Sequence, residues 1–153
     1  MIREVAEQDR KRAIDLVNDM SSEFVAVGYS EQGRNTFESY LKTKLQEVTA
    51  DVNAGHKKMW AYYQGDEILG VIAVQNASHI SLLFVAKSHH KKGIAKRLLH
   101  FALEEITKDA AITQITVNSS PYAVEAYGHL GFVKTTEQQE KDGIRFIPMM
   151  RPV

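Results

Sequence analysis

The run Leu82-Leu83-Phe84-Val85-Ala86-Lys87-Ser88-His89-His90-Lys91-Lys92-Gly93-Ile94-Ala95-Lys96-Arg97 has the composition of an anion site at the mouth of a helix. An apolar stretch of strand character leads into a basic turn. The helix that follows begins around Gly93 and Ala95, residues small enough to let a phosphate approach the backbone N–H groups. Unpaired amides at a helix start carry partial positive charge, and Lys91, Lys92, Lys96 and Arg97 add to it. Such a field suits a pyrophosphate better than a bare carboxylate. The loop has a single glycine and no Gly-Lys-Ser/Thr, which argues against a Walker-type nucleotide loop, and the dinucleotide pattern Gly-x-Gly-x-x-Gly is absent. His89 and His90 are neighbours in a turn, so their rings diverge. No ligand-spaced carboxylate or third histidine accompanies them, and no metal is expected. The chain has no cysteine, which removes a thiol nucleophile, thiolate metal sites and disulfides together.

The elements that must hold this segment in place can be read from periodicity. Ile2 to Val5 reads as a short strand. Asp9 opens a helix whose Ala13, Leu16, Val17, Met20 and Phe24 form one apolar stripe. Tyr29 to Asn35 reads as a polar loop, and a second helix carries Phe37, Tyr40, Leu41, Leu45 and Val48 before Asn53-Ala54-Gly55. From Met59 the period changes to two: Met59–Gln64, the turn Gly65-Asp66, Ile68–Gln75 and, after Asn76-Ala77-Ser78, His79–Val85 predict a three-stranded meander. Gly93 to about Lys108 is the clearest helix, with Leu98, Phe101, Ala102 and Ile106 on its inner side. Ile112–Asn118 predicts a strand and Ala123–Leu130 a short helix. Val133–Glu137 and Ile144–Met150 predict a closing hairpin around Lys141-Asp142-Gly143. The order is βααβββαβαββ, a mixed α/β sheet.

At 153 residues, without repeats or a low-complexity linker, the chain is expected to form a single domain over residues 1–153. Its first twenty residues are rich in charge, which leaves no apolar core for a signal peptide. No apolar run approaches the roughly 20 residues that span a bilayer. A cytoplasmic protein with no membrane partner is the expectation. Nineteen basic residues balance nineteen acidic ones, so the whole molecule has no field that recruits nucleic acid, and any anion site is local.

The segment His90-Lys91-Lys92-Gly93-Ile94-Ala95 resembles motif A of the GCN5-related N-acetyltransferase (GNAT) family, Gln/Arg-x-x-Gly-x-Gly/Ala after a strand, with His90 in place of Gln or Arg. A second block, Val117 to Phe132, looks like motif B, with Ala123-x-x-x-Tyr127-x-x-x-Gly131-Phe132 intact. The resemblance covers about Trp60 to Phe132, and the order of elements extends it to both ends. It implies the GNAT fold, whose central strands splay apart, and transfer of an acetyl group from acetyl-CoA to a primary amine by direct attack in a ternary complex.

The family likeness also assigns roles. The pantetheine arm of coenzyme A would fill the gap between Phe84–Ala86 and Val117–Ser119, with Phe84, Val85, Asn118 and Ser120 against it. The Val85 amide would polarise the acetyl carbonyl. The pyrophosphate would lie on the amides from Lys91 to Lys96, with His90, Gly93, Ile94 and Ala95 in the same cradle. Tyr127 stands at the family's usual acid position, and a phenol of pKa about 10 is protonated at neutral pH. His79 holds the place where histone-modifying members carry a glutamate base, and an imidazole could accept an ammonium proton. The acceptor is expected under the Val25–Asn35 loop, near Tyr29, Glu31 and Arg34; Glu31 suits a cationic acceptor and Arg34 an anionic one, so small-molecule and peptide amines both stay open. A homodimer fits the family's habits, although no heptad stripe marks it here. Two alternatives stand beside the enzyme: a non-catalytic acyl-CoA sensor, raised by the departure at His90, and a nucleic-acid module using the lysines, opposed by neutral charge and the lack of interleaved aromatics.

Overall fold

A computed structural model describes all residues from Met1 to Val153. Its centre is a meander of three antiparallel strands, β2 (Lys57–Gln64), β3 (Glu67–Gln75) and β4 (His79–Val85), with β1 (Ile2–Glu4) antiparallel on the outer side of β2. Alternation sorts the meander's side chains to two faces. Met59, Ala61, Tyr63, Val71, Ala73 and Leu82 pack with Ala13, Ile14 and Val17 of α1 (Arg10–Met20) and Val48 of α2 (Glu31–Asn53). Trp60, Ile72, Val74 and Ile80 pack with Ile94, Leu98, Leu99, Ala102 and Ile106 of α3 (Ile94–Ile106) on the opposite face. Leu98 and Leu99 are fully buried, each contributing roughly 1.5–3 kcal/mol of burial relative to exposure.

The second half of the sheet consists of β5 (Gln114–Ser119), β6 (Val133–Lys134), β7 (Gln139–Lys141) and β8 (Ile144–Pro152), with α4 (Val124–His129) between β5 and β6. Strand order across the sheet is β1-β2-β3-β4-β5-β8-β6, and β7 pairs with the first part of β8. Asp142 and Gly143, both at positive φ, make the tight β7–β8 turn, as an Asp-Gly pair between strands requires.

The two halves of the sheet meet only briefly. β4 and β5 run parallel and pair at His79 with Thr116 and at Ile80 with Val117, and no further. Just beyond, the β3–β4 register slips: Val74 faces Ile80 while Ala73 faces Leu82, so Ser81 is the extra residue of a β-bulge. A bulge bends its strand and increases its twist. The bend turns the rest of β4 away from β5, and the sheet opens there.

Three boundaries differ from the sequence reading. The first helix ends at Met20 and continues as a wider π-type turn over Ser21–Val25, closed by the amide of Ala26 on the carbonyl of Ser21 at 3.0 Å. The second helix begins at Glu31, because the Ser30 side chain accepts from the amide of Gly33 at 3.1 Å and caps it; the polar stretch to Asn35 is helix, not loop. The closing hairpin becomes three pieces, since β8 pairs with β7 near its start and with β6 and β5 further on.

The α1–α2 connection is fastened to the β7–β8 turn. A Cβ built on Gly33 would collide with the carbonyl oxygen of Gly143, so the helix and turn touch backbone to backbone. Thr36 Oγ1 donates to the carbonyl of Asp142 at 2.7 Å, and Arg145 Nη2 donates to the carbonyl of Gly28 at 3.1 Å.

Candidate active site

The opening between β4 and β5 is bordered by β4 backbone that no neighbouring strand pairs. The amide of Ala86 donates to the carbonyl of Leu69 at 2.8 Å, which marks 69 and 86 as a hydrogen-bonded antiparallel pair. By the two-residue period, Phe84 and Leu82 also face β3. Leu83 and Val85 therefore aim their N–H and C=O groups the other way, toward the place β5 has left. Their side chains lie on the α3 face, while that of Phe84 lies on the α1 face.

A cavity of about 230 Å³ occupies the opening and reaches both faces, with Leu83, Phe84, Val85, Val117, Asn118 and Tyr127 in its wall. A second cavity of about 430 Å³ on the α3 side shares Leu83, Val85, His90 and Tyr127 with it and runs on to Lys91, Gly93, Ile94, Ala95 and Lys96. The two form one path from the start of α3, through the parted strands, to the α1 side.

At the α3 end the amides are unspent. Gly93 sits at the N-cap with φ 79°, Lys91 is also left-handed at φ 62°, and no side chain caps the helix. The first amide to bond inward is that of Arg97, to the carbonyl of Gly93 at 3.1 Å; none of the six from Lys91 to Lys96 donates to the protein. Six consecutive free N–H groups, in a turn of alternating handedness opening a thirteen-residue helix, form an anion-binding concavity. A Cβ on Gly93 would meet nothing, so the glycine is needed for its backbone angle, not for want of space.

Tyr127 projects from α4 into both cavities and packs edge-on against Phe132 at 5.4 Å. Its hydroxyl bonds to no protein group, and burial pushes the phenol well above its ordinary range. It stays protonated and free to donate. Asn118 also borders the opening, and its side-chain amide has no protein partner. Ser120 borders it too, but its Oγ accepts from the amide of Ala123 at 3.3 Å and caps the turn into α4.

His90 does something motif A alone does not suggest. Its Nε2 donates to the carbonyl of Val85 at 2.7 Å, which engages one of the gap-facing acceptors and ties the basic turn back to β4. Lys92 lies outside both cavities and contributes through its backbone amide.

Phe24, from the π-type turn, covers the opening. Its ring lies 5.3 Å from that of His90 and stacks on Tyr122 at 5.4 Å, so it spans the two sides of the splay. Glu23 beside it bonds Lys87 at 2.6 Å and holds this turn to the end of β4. Met20, Phe24 and Val25 complete the α1 side of the smaller cavity.

Four expected residues are not brought here. His79 stands at the closed end, where β4 and β5 still pair, hydrogen-bonded through Nδ1 to Thr116 Oγ1 at 2.8 Å. It is six residues, about 20 Å of strand, from Val85. Tyr29 is buried against Phe37 with its ring edge-on at 6.1 Å, and burial raises its phenol. Glu31 and Arg34 lie exposed on the first turn of α2 and border neither cavity. Of the residues that form the α1-side wall, Met20 and Phe24 carry one signal, the apolar stripe of the first helix running past its regular end, and Val25 opens the stretch expected over the acceptor.

The defining features are a mixed sheet parted between two parallel strands and an uncapped helix start beside the parting. The chain belongs to the GNAT acetyltransferase family: the acetyltransferase (GNAT) domain profile matches residues 25–152. The chain is 28% identical over 103 residues to UPF0157 protein YqkA of Bacillus subtilis (strain 168); that match takes in 65% of this chain and 30% of the curated relative, so the chain spans under a third of its length. Among solved structures, it is similar to a GCN5-related N-acetyltransferase from Rhodopseudomonas palustris, with a TM-score of 0.81 and 17% identity over 100% of this chain and 95% of the other. It is also similar to the PaiA N-acetyltransferase of Thermoplasma acidophilum, solved with coenzyme A, with a TM-score of 0.76 and 19% identity over 100% and 98%. These likenesses match the expected fold, with one strand more than the expected order because the closing hairpin divides into β6, β7 and β8. No helix is long and apolar enough to cross a membrane.

Proposed function

We propose that the protein moves an acetyl group from acetyl-CoA to a primary amine. The observation that carries this reading is the continuity of two donor surfaces: six free amides at the start of α3 and the gap-facing N–H groups of Leu83 and Val85. A coenzyme A molecule has matching parts in the same order, a diphosphate followed by an arm with two amides and a terminal thioester. Lys91 and Lys96 add charge beside the diphosphate, and Asn118 offers a free amide across from β4.

The chemistry then needs little from side chains. The amine nitrogen attacks the thioester carbon, and the oxygen that takes up the electron pair is met by the N–H of Val85, with that of Leu83 the other donor facing the gap. As the C–N bond completes, the C–S bond breaks, and Tyr127 gives its proton to the leaving sulfur. Burial keeps that proton on the phenol until the sulfur draws it away. The proton released by the amine passes to water, and the phenol is reprotonated from solvent. Without a cysteine in the chain, no thiol relays the acetyl group.

The test is thermal unfolding with and without acetyl-CoA, followed by thiol release with pooled amines. Acetyl-CoA at 100 times its dissociation constant adds about 2.7 kcal/mol. That is a rise of roughly 5–10 °C for a chain of this size. No shift and no thiol release would refute the reading. One observation favours a second reading, an acyl-CoA-binding module without turnover: His90 already engages the carbonyl of Val85. A shift without thiol release from any amine would select it.

A further inference from the structure

The acceptor end of the path is apolar in a way that selects among amines. Beyond the gap-facing backbone, its α1-side wall is Met20, Phe24, Val25 and Phe84, with Tyr122 stacked on Phe24 at the rim. No aspartate or glutamate borders either cavity. The nearest acidic side chain on this wall, Glu23, is committed to Lys87 at 2.6 Å and is exposed. The charged groups bordering the path are the cationic Lys91 and Lys96, at the diphosphate end.

We infer that the acceptor is a small primary amine carried on an aryl or alkyl body, seated against Met20, Phe24, Val25 and Phe84; the inference rests on the acetyltransferase reading above. Three physical points support it. A second ammonium on the acceptor would be stripped of water with no counter-charge to receive it, so polycations are disfavoured. The cavity of about 230 Å³ must also take the acetyl thioester, which leaves room for a small body. An apolar wall also disfavours the charged form of the reacting amine itself. The nitrogen arrives neutral, which accounts for an acceptor wall without a carboxylate; the one imidazole bordering the cavity, His90, is committed through Nε2 to the carbonyl of Val85.

Thiol release from acetyl-CoA is measured with phenethylamine, hexylamine, spermidine and kanamycin, alongside thermal unfolding with acetyl-CoA alone. Phenethylamine and hexylamine are expected to show kcat/KM at least tenfold above spermidine and kanamycin. In the series from propylamine to hexylamine, kcat/KM should rise about fourfold per methylene until the cavity is full. In Val25→Glu, which places a carboxylate on the wall, the ratio of phenethylamine to spermidine should fall at least tenfold. Spermidine or kanamycin equal to or better than the arylalkylamine in the unaltered protein would overturn the inference. So would thiol release from none of the four while acetyl-CoA still raises the unfolding temperature, an outcome that leaves coenzyme binding standing. No thermal shift with acetyl-CoA would remove the underlying reading and this inference with it.

Discussion

Replacing Tyr127 by phenylalanine separates chemistry from packing unusually well in this site. The phenol oxygen bonds to no protein group, so its removal orphans no partner. The ring keeps its edge-on contact with Phe132. Stability should change by less than about 0.5 kcal/mol, which for a chain of this length is a shift of about 2 °C or less. Turnover should behave differently. A sulfur leaving without a donated proton departs as thiolate, and loss of a general acid lowers rates by about 10² or more. That corresponds to about 2.7 kcal/mol added to the barrier. Because burial raises the phenol, the unaltered enzyme should show no loss of kcat from Tyr127 ionisation anywhere below pH 10, the ordinary phenol value. The assay is thiol release under saturating acetyl-CoA and amine from pH 7 to 9.5, with thermal unfolding and acetyl-CoA affinity measured on the same preparations. A kcat within threefold of the unaltered enzyme would refute the proton-donor role. So would a fall in activity matched by an equal loss of acetyl-CoA affinity, since the phenol would then be a piece of binding wall.

Other outcomes follow from neighbouring features. Burial, and then the nearby Lys57 ammonium, hold the His79 imidazole below its usual 6.5. The unfolded chain therefore takes up the proton more readily, so His79 costs no stability above about pH 6.5 and an increasing amount as pH falls below it. His79→Gln should flatten the acid side of an unfolding-temperature profile between pH 8 and 5 while leaving kcat at pH 8 within twofold; a tenfold loss of kcat would restore the histidine to the mechanism. Gly93→Ala forces a side chain onto φ 79°, at roughly 1–2 kcal/mol, and should weaken acetyl-CoA binding at least tenfold by thermal shift; unchanged affinity would refute the amide cradle. Gly33→Ala should lower stability by about 1–3 kcal/mol, seen as a fall in unfolding temperature, because the new Cβ must displace the β7–β8 turn; an unchanged unfolding temperature would deny the close contact.

The basic turn and the uncapped start of α3 are legible in the residues because their signals are local. A strand-like run ending in a basic turn, with a small residue where the backbone must turn left-handed, needs no tertiary information to be noticed, and the helix after it announces itself through Leu98, Ala102 and Ile106. The acceptor half was not legible, for identifiable reasons. Phe24 and Val25 owe their places to a π-type turn, and helical spacing registers only that Phe24 continues an apolar stripe. Glu31 and Arg34 fall in a stretch that reads as a loop because it is polar and contains Gly33. Its reason for being glycine is the turn at Gly143, more than a hundred residues away. His79 was placed by counting along a strand. The count cannot see that the extra residue at Ser81 leaves the strands paired on one side of it and parted on the other.

That division between the two halves has an evolutionary reading. On the proposed reading, main-chain groups at positions 83, 85 and 91–96 would recognise the donor, so side chains there could drift so long as the bulge, the glycine turn and the helix survive. Acceptor choice would then reside in a few side chains of one helical turn, Met20, Phe24 and Val25. Descendants of such a chain would be retargeted by exchanging those three while inheriting the main-chain surface intact.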